Sequence, residues 1–121
     1  LDAKKHKIGS DNETQQSLAD SVAWVKKSDW HDTQDGFDYF QAAKSVDWPP
    51  TWHLTGCKDK VLGHATDVNV FIGESNPQAK FTLLSKSSGN KENYDHINIL
   101  THSSAVNDHF PLLVKWLKAL S

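Results

Sequence analysis

The sequence has no arginine and no methionine, and its 121 residues include one cysteine and four prolines. Because arginine is absent, all thirteen basic side chains are lysines, which lack the planar fork that holds phosphate or carboxylate through paired hydrogen bonds. The net charge of −2 does not favour broad electrostatic binding to nucleic acid or to an anionic membrane. We therefore expect no nucleic-acid partner and no electrostatic binding to anionic membrane.

Other absences bear on location and length. A single cysteine, Cys57, excludes an internal disulfide and fits a reducing compartment, so a cytoplasmic location is expected. No apolar run approaches the ~20 residues of a membrane span. Residues 1–9 are basic and polar, unlike a signal peptide. A chain that starts at Leu1 and lacks methionine is interpreted as a piece of a longer protein, cut by design or by a protease.

The composition is 37% hydrophobic and 23% charged, which is typical of one soluble globular domain. Residues 11–27 have a helical apolar stripe, with Ser10 or Asp11 available as the cap. Residues 28–48 are irregular apart from a weak helical turn at 40–45. This stretch carries four aromatic side chains that either line a substrate pocket or pack the core of a small lid: Trp30, Phe37, Tyr39 and Phe40.

The second half of the chain alternates strand and helix. Strands are predicted at 51–55 and 80–85, a helix at 64–74, and a closing helix at 109–120 that begins at Asp108. A strand–helix–strand unit is almost always a right-handed crossover in a parallel sheet. Because two parallel strands do not make a stable sheet alone, we predict an α/β fold in which this half is the edge of a larger doubly wound sheet.

Two candidate catalytic residues follow the two predicted strands. Asp59 lies just after the first strand, and His96 lies in the loop after the second. Functional residues of open α/β sheets collect at the carboxyl ends of the strands. An acid followed by a histidine is also the order of the last two members of a Ser…Asp…His triad, in which the carboxylate orients the imidazole that accepts the serine proton.

These motifs together resemble the C-terminal part of the α/β-hydrolase family over residues 49–120. The resemblance is carried by Gly-x-x-Asp-x-x-Leu at 56–62, the strand at 81–84, Tyr-Asp-His at 94–96 and the closing amphipathic helix with Trp116 and Leu117. It implies that Asp59 is the triad acid and His96 the base. It also implies that residues 1–48 form a lid segment, that 49–121 belong to the hydrolase core, and that the substrate is a small ester or acyl compound.

The sequence departs from the family in one large respect. It contains no Gly-x-Ser-x-Gly, so the nucleophile and the oxyanion hole are expected in a missing N-terminal part of the same protein. The chain alone is therefore expected to be inactive. It is also expected to form a homodimer through its exposed sheet edge.

Other residues compete for these roles. Asp67 is the rival acid, interpreted instead as a carboxylate in the first turn of a helix. Three histidines compete with His96, and we interpret two of them, His102 and His109, as surface or packing residues and assign no role to the third, His64. The resemblance implies that Cys57 is a buried or half-buried neutral thiol rather than a nucleophile. No metal-ligand spacing occurs, so no metal site and no cofactor are expected.

Two further readings of the function stay open. A hydrolase-like fold without a nucleophile would be a non-catalytic binding module. A carboxylate nucleophile at the missing position would act on a carbon–halogen or epoxide bond.

Overall fold

The structure, a computed structural model, describes residues 14–27 and 30–121. The chain divides between Val46 and Asp47 into two compact units. Within the described ranges, no helix is long and apolar enough to cross a membrane.

The N-terminal unit begins with helix α1, Gln15–Lys26. The hydroxyl of Thr14 accepts a hydrogen bond from the Ser17 amide at 3.1 Å, which satisfies one of the free N–H groups of the first turn. The predicted caps, Ser10 and Asp11, lie outside the described residues. Within the described residues, the helix begins at Gln15, after the Thr14 cap.

Helix α2, Tyr39–Ser45, follows a short turn. An antiparallel bridge joins His31 to Asp38, and Gly36 has a φ of 75°, a left-handed conformation that favours glycine. The Asp38 carboxylate then caps α2 by accepting the Gln41 amide at 2.9 Å.

The aromatic rings of this unit contact one another edge to face: Trp24 with Tyr39, Trp30 with Phe40, and Phe37 with Tyr39. These contacts are packing interactions within the unit. A role for the same rings in lining a substrate pocket stays a prediction.

The C-terminal unit is a mixed α/β structure around a two-stranded parallel sheet. Its main elements in chain order are β1 (Trp52–Gly56), α3 (Ala65–Ser75), β2 (Lys80–Leu84), α4 (Asn98–Thr101) and α5 (His109–Ala119). Short 3-10 turns lie at Lys86–Ser88 and Ser103–Asn107. Trp52 pairs with Lys80 and Gly56 with Leu84, so both strands end at the same edge of the sheet. This confirms the α/β class and the parallel pairing.

The core of the unit forms around three buried residues, Leu84, Tyr94 and Ala105. Partly buried apolar side chains pack against them: Leu54, Ile99 and Phe110. Tyr94, two residues before His96, is completely buried. Its side chain therefore anchors the loop that follows β2 in the core.

Candidate active site

Asp59 is positioned by the turn that ends β1. The Cys57 amide donates to the Leu84 carbonyl at 3.1 Å, which continues the sheet pairing by one residue, and the Asp59 amide then closes a turn onto the Gly56 carbonyl at 3.0 Å. The Asp59 carboxylate folds back over this loop, and its Oδ1 accepts the Leu62 amide at 3.1 Å. Only 7% of Asp59 is exposed.

The backbone of His96 is held in place by hydrogen bonds between the residue before it and the two residues after it. The Asp95 carboxylate accepts the amides of Ile97 at 2.9 Å and Asn98 at 2.7 Å. The Asn98 side-chain oxygen accepts the Asp95 amide in return, at 2.6 Å. This reciprocal pattern, which resembles a helix capping box, starts α4 and fixes the backbone that carries the imidazole.

The two predicted site residues are brought together. His96 Nδ1 lies 2.7 Å from Asp59 Oδ2, although the two residues are 37 apart in sequence. The carboxylate is almost fully buried, while half of the imidazole surface is exposed. Among the residues that the structure describes, none is hydrogen-bonded to His96 Nε2.

The carboxylate is ionised at neutral pH. Burial raises the pKa of Asp59, but the backbone N–H groups of Gly63 and Val61 and the contact with His96 outweigh it, so the pKa lies below its ordinary value. An ionised carboxylate can only accept, which makes Nδ1 the protonated nitrogen of a neutral His96. The lone pair of the imidazole is then on Nε2, where it can take a proton from another group.

Two glycines leave the space that the pair needs. A Cβ at Gly56 would overlap the backbone of Tyr94, so the turn after β1 approaches the histidine loop as closely as a backbone can. A Cβ at Gly63 would lie 2.6 Å from Asp59 Oδ2, the oxygen that contacts His96. Both close approaches favour glycine at these positions.

A cleft of about 390 Å³ adjoins the pair and is lined in part by Asp59 and His96. Its apolar lining comes from β1, α3 and α4: Leu54, Val68, Ile99 and Leu100. A mostly apolar cleft with a few polar groups is the usual form of a small-molecule site.

The rival acid and histidines have local structural roles. Asp67 lies in the first turn of α3, as predicted. His64 Nδ1 accepts the Thr66 amide at 3.3 Å at the start of the same helix. His102 Nδ1 accepts the Ser104 amide at 3.1 Å, which caps the second 3-10 turn.

His109 and Cys57 are also engaged within the fold. His109 is buried, and its Nε2 lies 2.7 Å from the Ile99 carbonyl, which confirms the packing interpretation. Cys57 is half-buried, with its Sγ 3.4 Å from the Asn93 side-chain oxygen. Over residues 14–27 and 30–121, no group of three or more metal-ligating side chains could hold a metal ion.

Sequence reasoning missed the support behind His96, which comes from Asp108. This carboxylate binds the loop that carries His96 instead of capping α5. The sequence signal, an aspartate before a helix, is the same for either role.

No protein-family model, no curated protein and no solved structure matches this chain.

Proposed function

We propose that this chain supplies the acid and the histidine of a Ser-His-Asp triad in an α/β-hydrolase that cleaves an ester or a related acyl bond. The observation that carries the proposal is the 2.7 Å contact between His96 Nδ1 and the buried, ionised Asp59. The two residues follow neighbouring parallel strands, where functional groups of open α/β sheets collect.

The proposed reaction has two halves. In the first, His96 Nε2 takes the proton of a serine hydroxyl as the oxygen attacks the acyl carbon, and the imidazolium then gives that proton to the leaving alcohol. In the second, Nε2 takes a proton from water, which attacks the acyl-enzyme, and returns it to the serine. Asp59 keeps the imidazole in the Nδ1–H form and stabilises the imidazolium through both halves.

The serine is assigned to a segment outside these 121 residues, because no Gly-x-Ser-x-Gly occurs in them. Exposed apolar side chains on two helices support a larger sheet-and-helix assembly, with Val70 and Phe71 on α3 and Leu117 on α5 between 42% and 56% exposed. In this proposal residues 1–48 are the lid, residues 49–121 are core, and the chain alone does not turn over esters.

The cleft supports an acyl substrate. Its lining is largely apolar, with polar groups from the pair and from His53, Thr55 and Asp95, which suits a hydrocarbon acyl chain next to a polar reacting centre. We place the reaction in the cytoplasm, since the single cysteine needs no oxidising compartment.

The test is covalent labelling by a fluorophosphonate, measured as intact mass of the natural protein that contains this chain. We compare His96→Asn with His102→Asn. The second change also removes an imidazole from the same unit but keeps a good cap for its 3-10 turn. We expect one adduct in the parent and in His102→Asn, and a labelling rate about 10⁶-fold lower in His96→Asn.

Two results would contradict this proposal. Unchanged labelling of His96→Asn would exclude His96 as the base. A folded parent protein that forms no adduct would favour a non-catalytic module or a carboxylate nucleophile. If the nucleophile is a carboxylate, turnover of a halogenated or epoxide substrate would depend on Asp59 and His96.

A further inference from the structure

The loop that carries His96 has little regular structure of its own. It runs from Gly89 to α4, and its imidazole is half exposed. Packing therefore does not fix the ring of His96, and the position of the ring depends on how the loop is held.

Asp108 holds that loop at three points. Its Oδ1 accepts the Asn90 side-chain amide at 3.1 Å, and its Oδ2 accepts both the Lys91 backbone amide at 2.9 Å and the Tyr94 hydroxyl at 2.7 Å. All three donors belong to the stretch just before His96. One carboxylate thus accepts hydrogen bonds from three residues within the stretch 90–94.

The geometry of Asp108 is unusual for its place in the fold. It precedes α5, where an aspartate side chain ordinarily accepts a free amide of the first helical turn, but it makes no such bond. Burial raises its pKa, but the hydrogen bonds from Lys91, Tyr94 and Asn90 outweigh burial and bring the pKa below its ordinary value, so the group is ionised at neutral pH. Hydrogen bonds to an ionised acceptor are about twice as strong as neutral ones.

Tyr94 connects this anchor to the Asp59–His96 pair. Its ring is fully buried, and its backbone carbonyl accepts the Lys58 amide at 2.8 Å, one residue before Asp59. Gly56 allows this contact because a Cβ there would overlap the Tyr94 backbone. The same residue therefore touches the acid turn through its backbone and Asp108 through its hydroxyl.

We propose that Asp108 is a positioning residue that acts through Tyr94 to hold the His96 loop against the acid turn, so that His96 Nδ1 meets Asp59. Its catalytic meaning rests on the proposed function. The positioning itself is a property of this chain and is measured without any reaction.

The experiment records the tautomer of His96 by ¹H–¹⁵N NMR of the imidazole nitrogens in the 121-residue chain. Tyr94→Phe removes one hydroxyl, and Asp108→Asn keeps the size of the side chain but removes its charge. Thr82→Val is the matched control, because it deletes the Trp52 indole contact in the sheet and leaves the loop untouched. Amide spectra and thermal unfolding establish that each variant is folded.

We expect the parent and Thr82→Val to hold His96 in the Nδ1–H form, with its proton protected from exchange. In Tyr94→Phe and Asp108→Asn the Nδ1–H fraction should fall to about half or less, because the tautomer is set by the bond to Asp59. Tyr94→Phe removes only one hydroxyl and is the milder of the two changes. It therefore provides a folded variant for the measurement if Asp108→Asn does not fold.

Three results would overturn the proposal. If both loop variants keep the parent tautomer while unfolding at lower temperature, the network is structural only. If Thr82→Val loses the Nδ1–H form equally, general stability rather than Asp108 controls it. If the parent itself shows the Nε2–H form, the pair is not formed and the proposed function fails with it. An absent fluorophosphonate adduct alone leaves the positioning intact.

Discussion

Gly63 lies directly against the buried carboxylate of Asp59, where there is no space for a larger side chain. An added Cβ would lie 2.6 Å from Asp59 Oδ2 and 3.2 Å from Thr55 Oγ1, and neither side chain is free to move, since both are buried and hydrogen-bonded. We expect Gly63→Ala to lower the free energy of unfolding by about 1–3 kcal/mol and to weaken the contact with His96. Urea unfolding measures the first effect, and the imidazole spectrum measures the second.

Gly73 is the control for this prediction. It lies inside α3 and an added Cβ meets nothing within 4 Å. Gly73→Ala should therefore raise the free energy of unfolding by about 0.5–1 kcal/mol, because alanine loses less conformational entropy in a helix. Equal stability of the parent and Gly63→Ala would show that the site relaxes around the methyl group.

Tyr94 should ionise only in strongly alkaline solution. Burial, with the hydrogen bond to Asp108, raises its pKa from 10.0 to about 12. Because the pKa is raised by folding, the stability it contributes is complete below pH 10.0 and is lost as the pH rises toward 12. Tyrosinate absorbance should show a late step that disappears in Tyr94→Phe and moves to lower pH in Asp108→Asn. A late step that survives Tyr94→Phe would belong to Tyr39.

At the residue scale, the sequence predicted that Asp59 and His96 would lie together, but not what holds them. Their proximity could be predicted because position after a strand and order along the chain are properties of sequence. The Asp108 carboxylate could accept either an amide of the first turn of α5 or the donors of the His96 loop. Which of these it accepts depends on where Tyr94 lies once the core has formed, and no local sequence pattern carries that information.

The parallel pair β1 and β2 has two unpaired edges within the described part of the chain. The Lys80 amide donates to the Thr51 carbonyl and the Cys57 amide to the Leu84 carbonyl, so alternate amides of β1, including that of Leu54, point away from β2. Exposed strand edges pair with other strands. We expect the isolated chain to self-associate as its concentration rises.

Sedimentation and hydrogen exchange test this prediction together. In a dimer joined through β1, exchange at the Leu54 amide should slow with increasing concentration. The neighbouring Thr55 amide faces β2 and should not change. Self-association that leaves the Leu54 amide unprotected would place the contact elsewhere, and a monomer at all concentrations would contradict the prediction.

The elements themselves followed closely from local pattern. The strand predicted at 51–55 is Trp52–Gly56, the helix at 64–74 is Ala65–Ser75, and the closing helix at 109–120 is His109–Ala119. No element was predicted where α4 lies, at Asn98–Thr101. That helix is a single turn started by the side chains of Asp95 and Asn98, and so short a segment shows no periodicity.

At the scale of the whole chain, three carboxylates make the C-terminal unit sensitive to acid. Burial raises the pKa of Asp59 and Asp108, but hydrogen bonds outweigh it, and backbone N–H groups lower the pKa of Asp95. All three pKa values lie below the ordinary value of 3.8. Such groups stabilise the fold above pH 3.8, and that stability is lost as the pH falls further because the unfolded chain binds protons first.

We therefore expect the urea midpoint of this unit to fall as the pH drops from about 4 to about 2, and to fall less steeply in Asp108→Asn, which lacks one of the three titrating groups. The indole N–H signals of Trp52 and Trp116 report on this unit, and those of Trp24 and Trp30 follow the N-terminal unit separately. A slope that Asp108→Asn leaves unchanged would mean that the Asp108 anchor contributes nothing to acid sensitivity. A steeper slope at Trp24 and Trp30 would place the sensitive carboxylates in the other unit.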